Sequence, residues 1–260
     1  MTVDGFERVR LDGAGIDRIT EGEVVAVVRE ALASGRGGWI MTPNVDILRR
    51  SRRGAQYRQL LESADLVVAD GMPLVWASRL GGQPVPERVA GSSLIWSLSA
   101  GLGHDRGSVF VIGGTPASRG VADGAARAAQ RLAERSPGLR IAGARCPPLG
   151  FDEDPQACAE LCAEVAATRP DLVFVGLGFP KQEALIARLR RYLPGAWFVG
   201  CGAAVNFVAG DLGRAPRWMQ RTGLEWAHRL GAEPRRLAGR YLRHDAPYAM
   251  KLLAGAATRR

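Results

Sequence analysis

The chain has 260 residues, 47% of them hydrophobic and 23% charged, as in an ordinary globular protein with one sizeable core. No run of 18 apolar residues occurs, and the N-terminus (MTVDGFERVRLDG) lacks the apolar stretch of a secretory signal. A membrane span and export by that route are therefore not expected, and a cytoplasmic location is. The net charge of +9 is concentrated: residues 214–260 carry 11 Lys+Arg against 3 Asp+Glu, which leaves +1 for residues 1–213. A basic tail of this kind, with Trp218, Trp226, Tyr241 and Tyr248 in it, seeks an anionic partner: a phosphorylated ligand, an anionic membrane surface or nucleic acid.

In chain order, Thr20 and Glu23 form a capping box ahead of VVAVVREALAS, and Gly35 is placed to end that helix. WIMT (39–42) reads as a short strand and ADLVVAD (64–70) as a buried strand ending in Asp70-Gly71. Ser92 or Ser93 is suited to cap a helix through SLIWSLSAGLG. SVFVIGG (108–114) is the clearest strand, followed by Thr115-Pro116 and a long Ala-rich helix. LRIAGA (139–144), DLVFVGLG (171–178) and AWFVGCG (196–202) are further strands, with helices near 155–168 and 181–192. This alternation predicts an α/β fold, a Rossmann-like doubly wound and mostly parallel sheet. Residues 1–212 read as one doubly wound domain and 213–260 as a basic helical appendage, since the charge balance changes near Gly213.

In open α/β sheets ligands lie beyond the carboxyl ends of the strands. Thr42 and Asn44, Asp70, Gly113 to Thr115, Lys181 to Glu183, and Asn206 all follow predicted strands, so parallel strands would turn them toward one crevice. Gly113-Gly114-Thr115-Pro116 suits a phosphate, since glycines admit close backbone approach and the next helix offers free N–H groups. The same turn also serves simple helix packing. A dinucleotide fingerprint is absent: GLGFPK (176–181) puts Lys181 where the third glycine belongs. Asp70 is either a general base or a turn and capping residue, and the local window favours the turn. Arg88 reads as a surface arginine in a loop. Asp152-Glu153-Asp154 looks like a metal-binding DxD run but precedes Pro155, as a solvated helix start does. Four cysteines fit no zinc spacing, three histidines are scattered, and no metal site is expected. Lys181 stands out only because arginine outnumbers lysine 33 to 2.

Taken together, TPN (42–44), ADLVVADGMPLVW (64–76), ERVAGSSL (87–94), VFVIGGTP (109–116), GLGFPKQE (176–183), FVGCGAAVNFVAG (198–210), RAPRWMQRTGLEWAHRL (214–230) and EPRRLAGRY (233–241) resemble the WecG/TagA/CpsF family of bacterial glycosyltransferases, in the family's order. The resemblance implies inverting, metal-independent transfer of N-acetylmannosamine or a related hexose from a UDP-sugar to a polyprenyl-diphosphate-linked sugar. It places the enzyme in cell-wall or exopolysaccharide synthesis, peripherally on the inner face of the cell membrane, with no cofactor and with self-association (a homo-oligomer) open to it.

By the same resemblance Asp70 matches the catalytic base, while Thr42, Asn44, Arg88 and Gln182 match the sugar-nucleotide pocket. Arg88 and Asp70 are the two residues expected to serve the chemistry, and Gly113 and Gly114 the donor. Asn206 stands where the family commonly has Asp, so it keeps an acceptor oxygen and loses a charge. Arg229, Arg236 and Arg240 match the basic appendage and are expected to meet the acceptor or a diphosphate. Two other readings compete. A nucleic-acid-binding protein would explain the basic tail but lacks any standard binding motif. A nucleotide-dependent oxidoreductase lacks the fingerprint and its acidic ribose partner.

Overall fold

The computed structural model describes residues 5–258, apart from the side chains of Arg217, Arg221 and Arg236. The chain opens with a hairpin of β1 (Arg8–Leu11) and β2 (Ala14–Asp17) that the apolar runs did not announce. Its turn is Asp12-Gly13, both at positive φ (50° and 91°). The hairpin is tied to the main sheet through Asp17, whose carboxylate accepts from the Val67 N–H at 2.7 Å and from Arg8 at 2.7 Å.

Helix α1 (Glu21–Ala33) has the expected capping box, with Thr20 and Glu23 satisfying each other's backbone N–H groups, and Gly35 follows at φ 70°. Then come β3 (Gly38–Met41), α2 (Val45–Ser51), α3 (Ala55–Glu62), β4 (Leu66–Val67), α4 (Met72–Leu80), α5 (Gly91–His104) and β5 (Ser108–Gly113). They are followed by α6 (Gly124–Arg135), β6 (Arg140–Arg145), α7 (Pro155–Thr168), β7 (Leu172–Gly176), α8 (Lys181–Tyr192), β8 (Trp197–Gly200) and α9 (Ala204–Ala209). The last segment is helical: α10 (Arg217–Thr222), α11 (Glu225–Ala232), α12 (Pro234–Arg240), a π-helical turn (Tyr241–Asp245) and α13 (Ala246–Ala257).

Six strands form one sheet in the order β4-β3-β8-β7-β5-β6, and every pair is parallel. The two-residue period of a strand divides their side chains between two cores. Trp39, Met41, Phe110, Ile112, Val173, Val175 and Phe198 pack on one face, with α7 and α8. Ile40, Val109, Val111, Leu172, Phe174, Trp197 and Val199 pack on the other, with α1, α5, α6 and α9. Both faces are covered, which is why these strands read as continuous apolar runs and not as alternating ones.

Three local expectations differ from the structure. The 64–70 strand pairs as a ladder only at Leu66–Val67, though the chain stays beside β3, with the Val68 N–H donating to Met41 and the Asp70 N–H to Pro43. Helix α5 begins at Gly91 with Ala90 at its cap, and Ser93 turns its hydroxyl back to the Ala90 carbonyl. The helix after Thr115-Pro116 starts only at Gly124, capped by Asp123.

The basic segment lies against the body. Leu252 of α13 is buried in the core on the α4 side. Gly223, at φ 78°, sits so close to α4 that an added Cβ would fall 2.8 Å from Met72. Trp218 and Trp226 remain 60% and 46% exposed, so packing on the body does not absorb them; Trp226 meets Tyr241 edge-on at 6.4 Å. Among the described residues, no helix is long and apolar enough to cross a membrane.

Candidate active site

The carboxyl ends of the parallel strands lie along one edge of the sheet, and the polar residues picked out in the sequence follow there. β3 leads to Thr42 and Asn44, β4 to Asp70, β5 to Gly113 and Gly114, β7 to Gln182 and Glu183, and β8 to Asn206. Asn44 is the N-cap of α2, its side-chain oxygen accepting from the Ile47 N–H at 3.2 Å. Its Cβ lies 4.0 Å from where a Cβ on Gly71 would stand, which places it next to the Asp70-Gly71 turn. Gly71 has φ 148°, a conformation that L side chains rarely adopt and that turns the chain sharply after Asp70.

Asp70 is partly buried at this turn. Burial raises its carboxyl to about 6, against the lowering influence of the Arg88 and Arg229 guanidiniums and the Gly91 N–H, while the nearby Glu225 pushes it up further. Arg88 donates to Glu225 at 2.8 Å, both side chains being largely buried. It is therefore an inward-facing arginine, not the surface residue its loop context implied. Glu225 and Arg229 both belong to α11. The Arg229 guanidinium lies 5.6 Å from the Phe207 ring of α9, and Arg214 donates to the Ser92 carbonyl at 3.3 Å. The basic segment thus comes close to Asp70 and touches the start of α5 and the middle of α9.

Other residues expected at the donor pocket have internal partners. The Thr42 hydroxyl, buried, donates to the Gly200 carbonyl at 2.9 Å and holds the ends of β3 and β8 together. Gln182 is 3% exposed, and its amide oxygen accepts from the Gly178 and Gly202 N–H groups at 3.1 and 3.0 Å. Its nitrogen donates to Glu183 at 2.8 Å. It fastens the loops after β7 and β8 to each other. Replacing it by Leu strands both N–H groups and is expected to lower stability by about 2–3 kcal/mol, read from the urea midpoint. A change under 1 kcal/mol (about) would show that these loops do not depend on it.

Gly113 and Gly114 are needed for packing: a Cβ on Gly113 would lie 2.5 Å from the Gly176 carbonyl oxygen, and one on Gly114 2.7 Å from the Gly124 backbone. The α6 N-terminus expected to offer free N–H groups is already met by the Asp123 side chain, which accepts from Ala126 at 2.9 Å. Thr115 donates to Asp211, which also pairs with Arg127 at 2.6 Å. Asn206 is half-buried on α9, and its carbonyl accepts from the Asp211 N–H at 2.9 Å. Arg240 lies away from Asp70, beside Asp245 at 3.5 Å. The Arg236 side chain lies outside the described residues. Lys181 pairs with Asp152 at 2.7 Å, which accounts for one member of the acidic run, and Asp154 caps α7. Among the described residues, no group of three His, Cys, Asp or Glu side chains could hold a metal ion.

Sequence reasoning missed Glu225 and gave no role to Glu183, which it gathered only as a residue following a strand. Glu225 is the only acid between Arg214 and Ala232, and that isolation was its available signal. Glu183 is 1% exposed; burial lifts its carboxyl to about 7, and among the described residues its Oε2 has no hydrogen-bond partner. Gly200 leaves it room, since a Cβ there would stand 2.7 Å from Gln182 and 3.0 Å from Glu183.

Comparison with known proteins agrees with this architecture. The profile of the glycosyl transferase WecG/TagA/CpsF family matches residues 9–260. An N-acetylglucosaminyldiphosphoundecaprenol N-acetyl-beta-D-mannosaminyltransferase from Bacillus spizizenii is 34% identical over 205 residues, covering 79% of this chain and 75% of the relative. A protein of the same name from Bacillus subtilis is 30% identical over 198 residues, covering 76% of this chain and 73% of the relative.

Proposed function

This chain belongs to the glycosyl transferase WecG/TagA/CpsF family, and from that premise we propose that it moves N-acetylmannosamine or a related hexose from a UDP-sugar to a polyprenyl-diphosphate-linked sugar, with inversion at the anomeric carbon. The observation that carries the reading is Asp70: a carboxylate at the carboxyl edge of a parallel sheet, raised by burial to about 6 and flanked by Arg88 and by Arg229 of α11. A base poised there is ionised at neutral pH and still basic enough to take a proton. Asp70 accepts the proton of the acceptor hydroxyl as that oxygen bonds to the anomeric carbon. The bond to UDP breaks at the same time, and its electron pair leaves on the diphosphate oxygen. Arg88 and Arg229 supply positive charge beside the carboxylate and the leaving group.

In this reading no metal or other cofactor takes part, so a chelator leaves turnover unchanged. Residues 1–212 act as the catalytic domain, and the basic segment 213–260 closes the site and brings it to the inner membrane surface. Trp218, Trp226, Leu242 and Met250, all more than 40% exposed, support peripheral attachment. The names of the two relatives specify β-mannosaminyl transfer to an N-acetylglucosaminyldiphosphoundecaprenol acceptor, which favours the same stereochemistry and acceptor class here. The test is the anomeric configuration of the product made with EDTA present, read by NMR from the α-linked donor. A β product formed at the metal-replete rate is expected. An α product, or loss of turnover with EDTA, would contradict the proposal.

A further inference from the structure

Beside the cleft is a second basic site built from the body of the protein and closed by the appendage. Asp46, Arg49, Arg50, Arg53, Tyr57 and Arg240 line a cavity of about 420 Å³. Asp46, Arg49 and Arg50 fall on one face of α2, since residues three and four apart share a helical face, and Arg53 follows in the turn just past its end. Arg50 is fixed in place: its guanidinium lies 5.3 Å from the Tyr57 ring and 4.8 Å from the Phe179 ring, and it donates to the Phe179 carbonyl at 3.0 Å. Arg49 is 12% exposed and spans Asp46 and Asp245, the latter at 3.3 Å. Arg240 stacks on Tyr241 at 4.8 Å, and among the described residues its buried Nε makes no hydrogen bond, the nearest carboxylate oxygen being Asp245 at 3.5 Å. Arg53 is exposed at the rim, and no ion pair to it is seen among the described residues.

Four guanidiniums therefore face two carboxylates, an excess of two positive charges around a preformed opening. A diphosphate bridging a sugar and a lipid carries two negative charges, one on each phosphorus. Arginine forks suit such oxygens, and Arg50, already immobilised, loses little entropy in binding them. The position also fits. Asn44, next to the Asp70 turn, is the cap of the same helix, Arg50 lies about 9 Å further along its axis, and Arg53 stands in the turn that follows. A sugar held at Asp70 with its diphosphate directed along α2 would reach this cluster.

We propose that Arg50, Arg53 and Arg240 bind the diphosphate of the acceptor, apart from the donor's diphosphate at Arg88 and Arg229. This rests on the transferase reading above. The test uses the full-length protein with Arg53→Glu and Arg53→Lys, a rim residue whose change leaves the packing intact. With a soluble short-chain polyprenyl-diphosphate-GlcNAc analogue, Arg53→Glu is expected to raise the acceptor KM at least roughly tenfold, the loss of one charge-assisted bond. Donor KM and UDP affinity stay at wild-type values, and Arg53→Lys recovers most of the loss.

An acceptor KM within twofold of wild type would overturn the proposal, as would a rise in donor KM instead. Binding to phosphatidylglycerol vesicles is the separate arm: if Arg53→Glu loses vesicle binding while acceptor KM is unchanged, the cradle serves a lipid headgroup and the proposal fails. Inorganic pyrophosphate titrated calorimetrically with UDP saturating keeps the cradle testable even if no transfer is found. Binding lost in Arg53→Glu supports it, and equal binding overturns it.

Discussion

Asp70→Asn is expected to lose 10²–10⁴-fold in turnover (roughly, the range for a positioned general base) while binding UDP and the UDP-sugar as wild type does. Asn keeps the size and a hydrogen-bonding oxygen but takes no proton. In the wild type, kcat/KM should rise with pH through about 6 and level off above it, because only the ionised carboxylate acts as base. The stability of the fold moves the other way. Burial raises the carboxyl from its ordinary 3.8 to about 6, so the folded state keeps a proton that the unfolded chain has released. Stability therefore falls as pH rises from about 4 to 6 and stays lower above that.

The Asn variant escapes this cost. It should be more stable than wild type at pH 8 by about 1–2 kcal/mol, or some 2–8 °C in Tm, and no more stable at pH 4. Loss of activity with a gain of stability is a combination that general unfolding cannot produce. Wild-type turnover in Asp70→Asn would remove the residue from the chemistry. Glu183 titrates near 7 in its own buried site, so Glu183→Gln should leave the acidic limb of the rate profile at about 6.

Arg88→Ala carries the second large effect, and its direction follows from two neighbours. Arg88 is the main cation holding the Asp70 carboxyl down, and Glu225 beside it pushes that carboxyl up. Removing the arginine deletes the first influence and leaves Glu225 and burial opposed only by Arg229 and the Gly91 N–H. The acidic limb of kcat/KM should then move upward by about one pH unit or more, with activity at pH 7 reduced about 10²-fold as transition-state charge loses its partner. The unpaired, largely buried Glu225 should also cost about 3 kcal/mol of stability, as breaking a buried pair does. Adding Glu225→Gln in the same chain removes the stranded charge, so much of the stability and part of the pH shift should return while the rate stays low. Profiles of the single and double variants superimposing on wild type would show that the Arg88–Glu225 pair does not govern Asp70.

Much of the fold was legible where local chemistry and tertiary structure agree. The Thr20/Glu23 box starts α1, and α7 and α8 fill residues 155–168 and 181–192 because Pro155 and Pro180 stand at their entrances. β5, β7 and β8 are buried on both faces, so apolar runs mark them. The β1–β2 hairpin escaped notice because its strands have four residues each, though Asp12-Gly13 was a usable turn signal. The strand-end rule gathered Thr42, Asn44, Asp70, Gln182 and Asn206 correctly along one edge, but position says nothing of partners. Gln182 and Thr42 reach the edge and are then occupied by Gly178, Gly202 and Gly200. Charge counted along the chain pointed to the tail alone. In space, Arg240 joins Arg49, Arg50 and Arg53 from a body whose net charge is nearly zero, a grouping set by α2 meeting the turn before α13.

The most direct test of the central claim is UDP release from UDP-N-acetylmannosamine by the purified chain, with and without a short-chain polyprenyl-diphosphate-GlcNAc acceptor. Release that depends on the acceptor, one UDP per disaccharide formed, is the predicted result. No acceptor-dependent release from that donor or from other UDP-hexosamines, together with no measurable UDP binding, would contradict it.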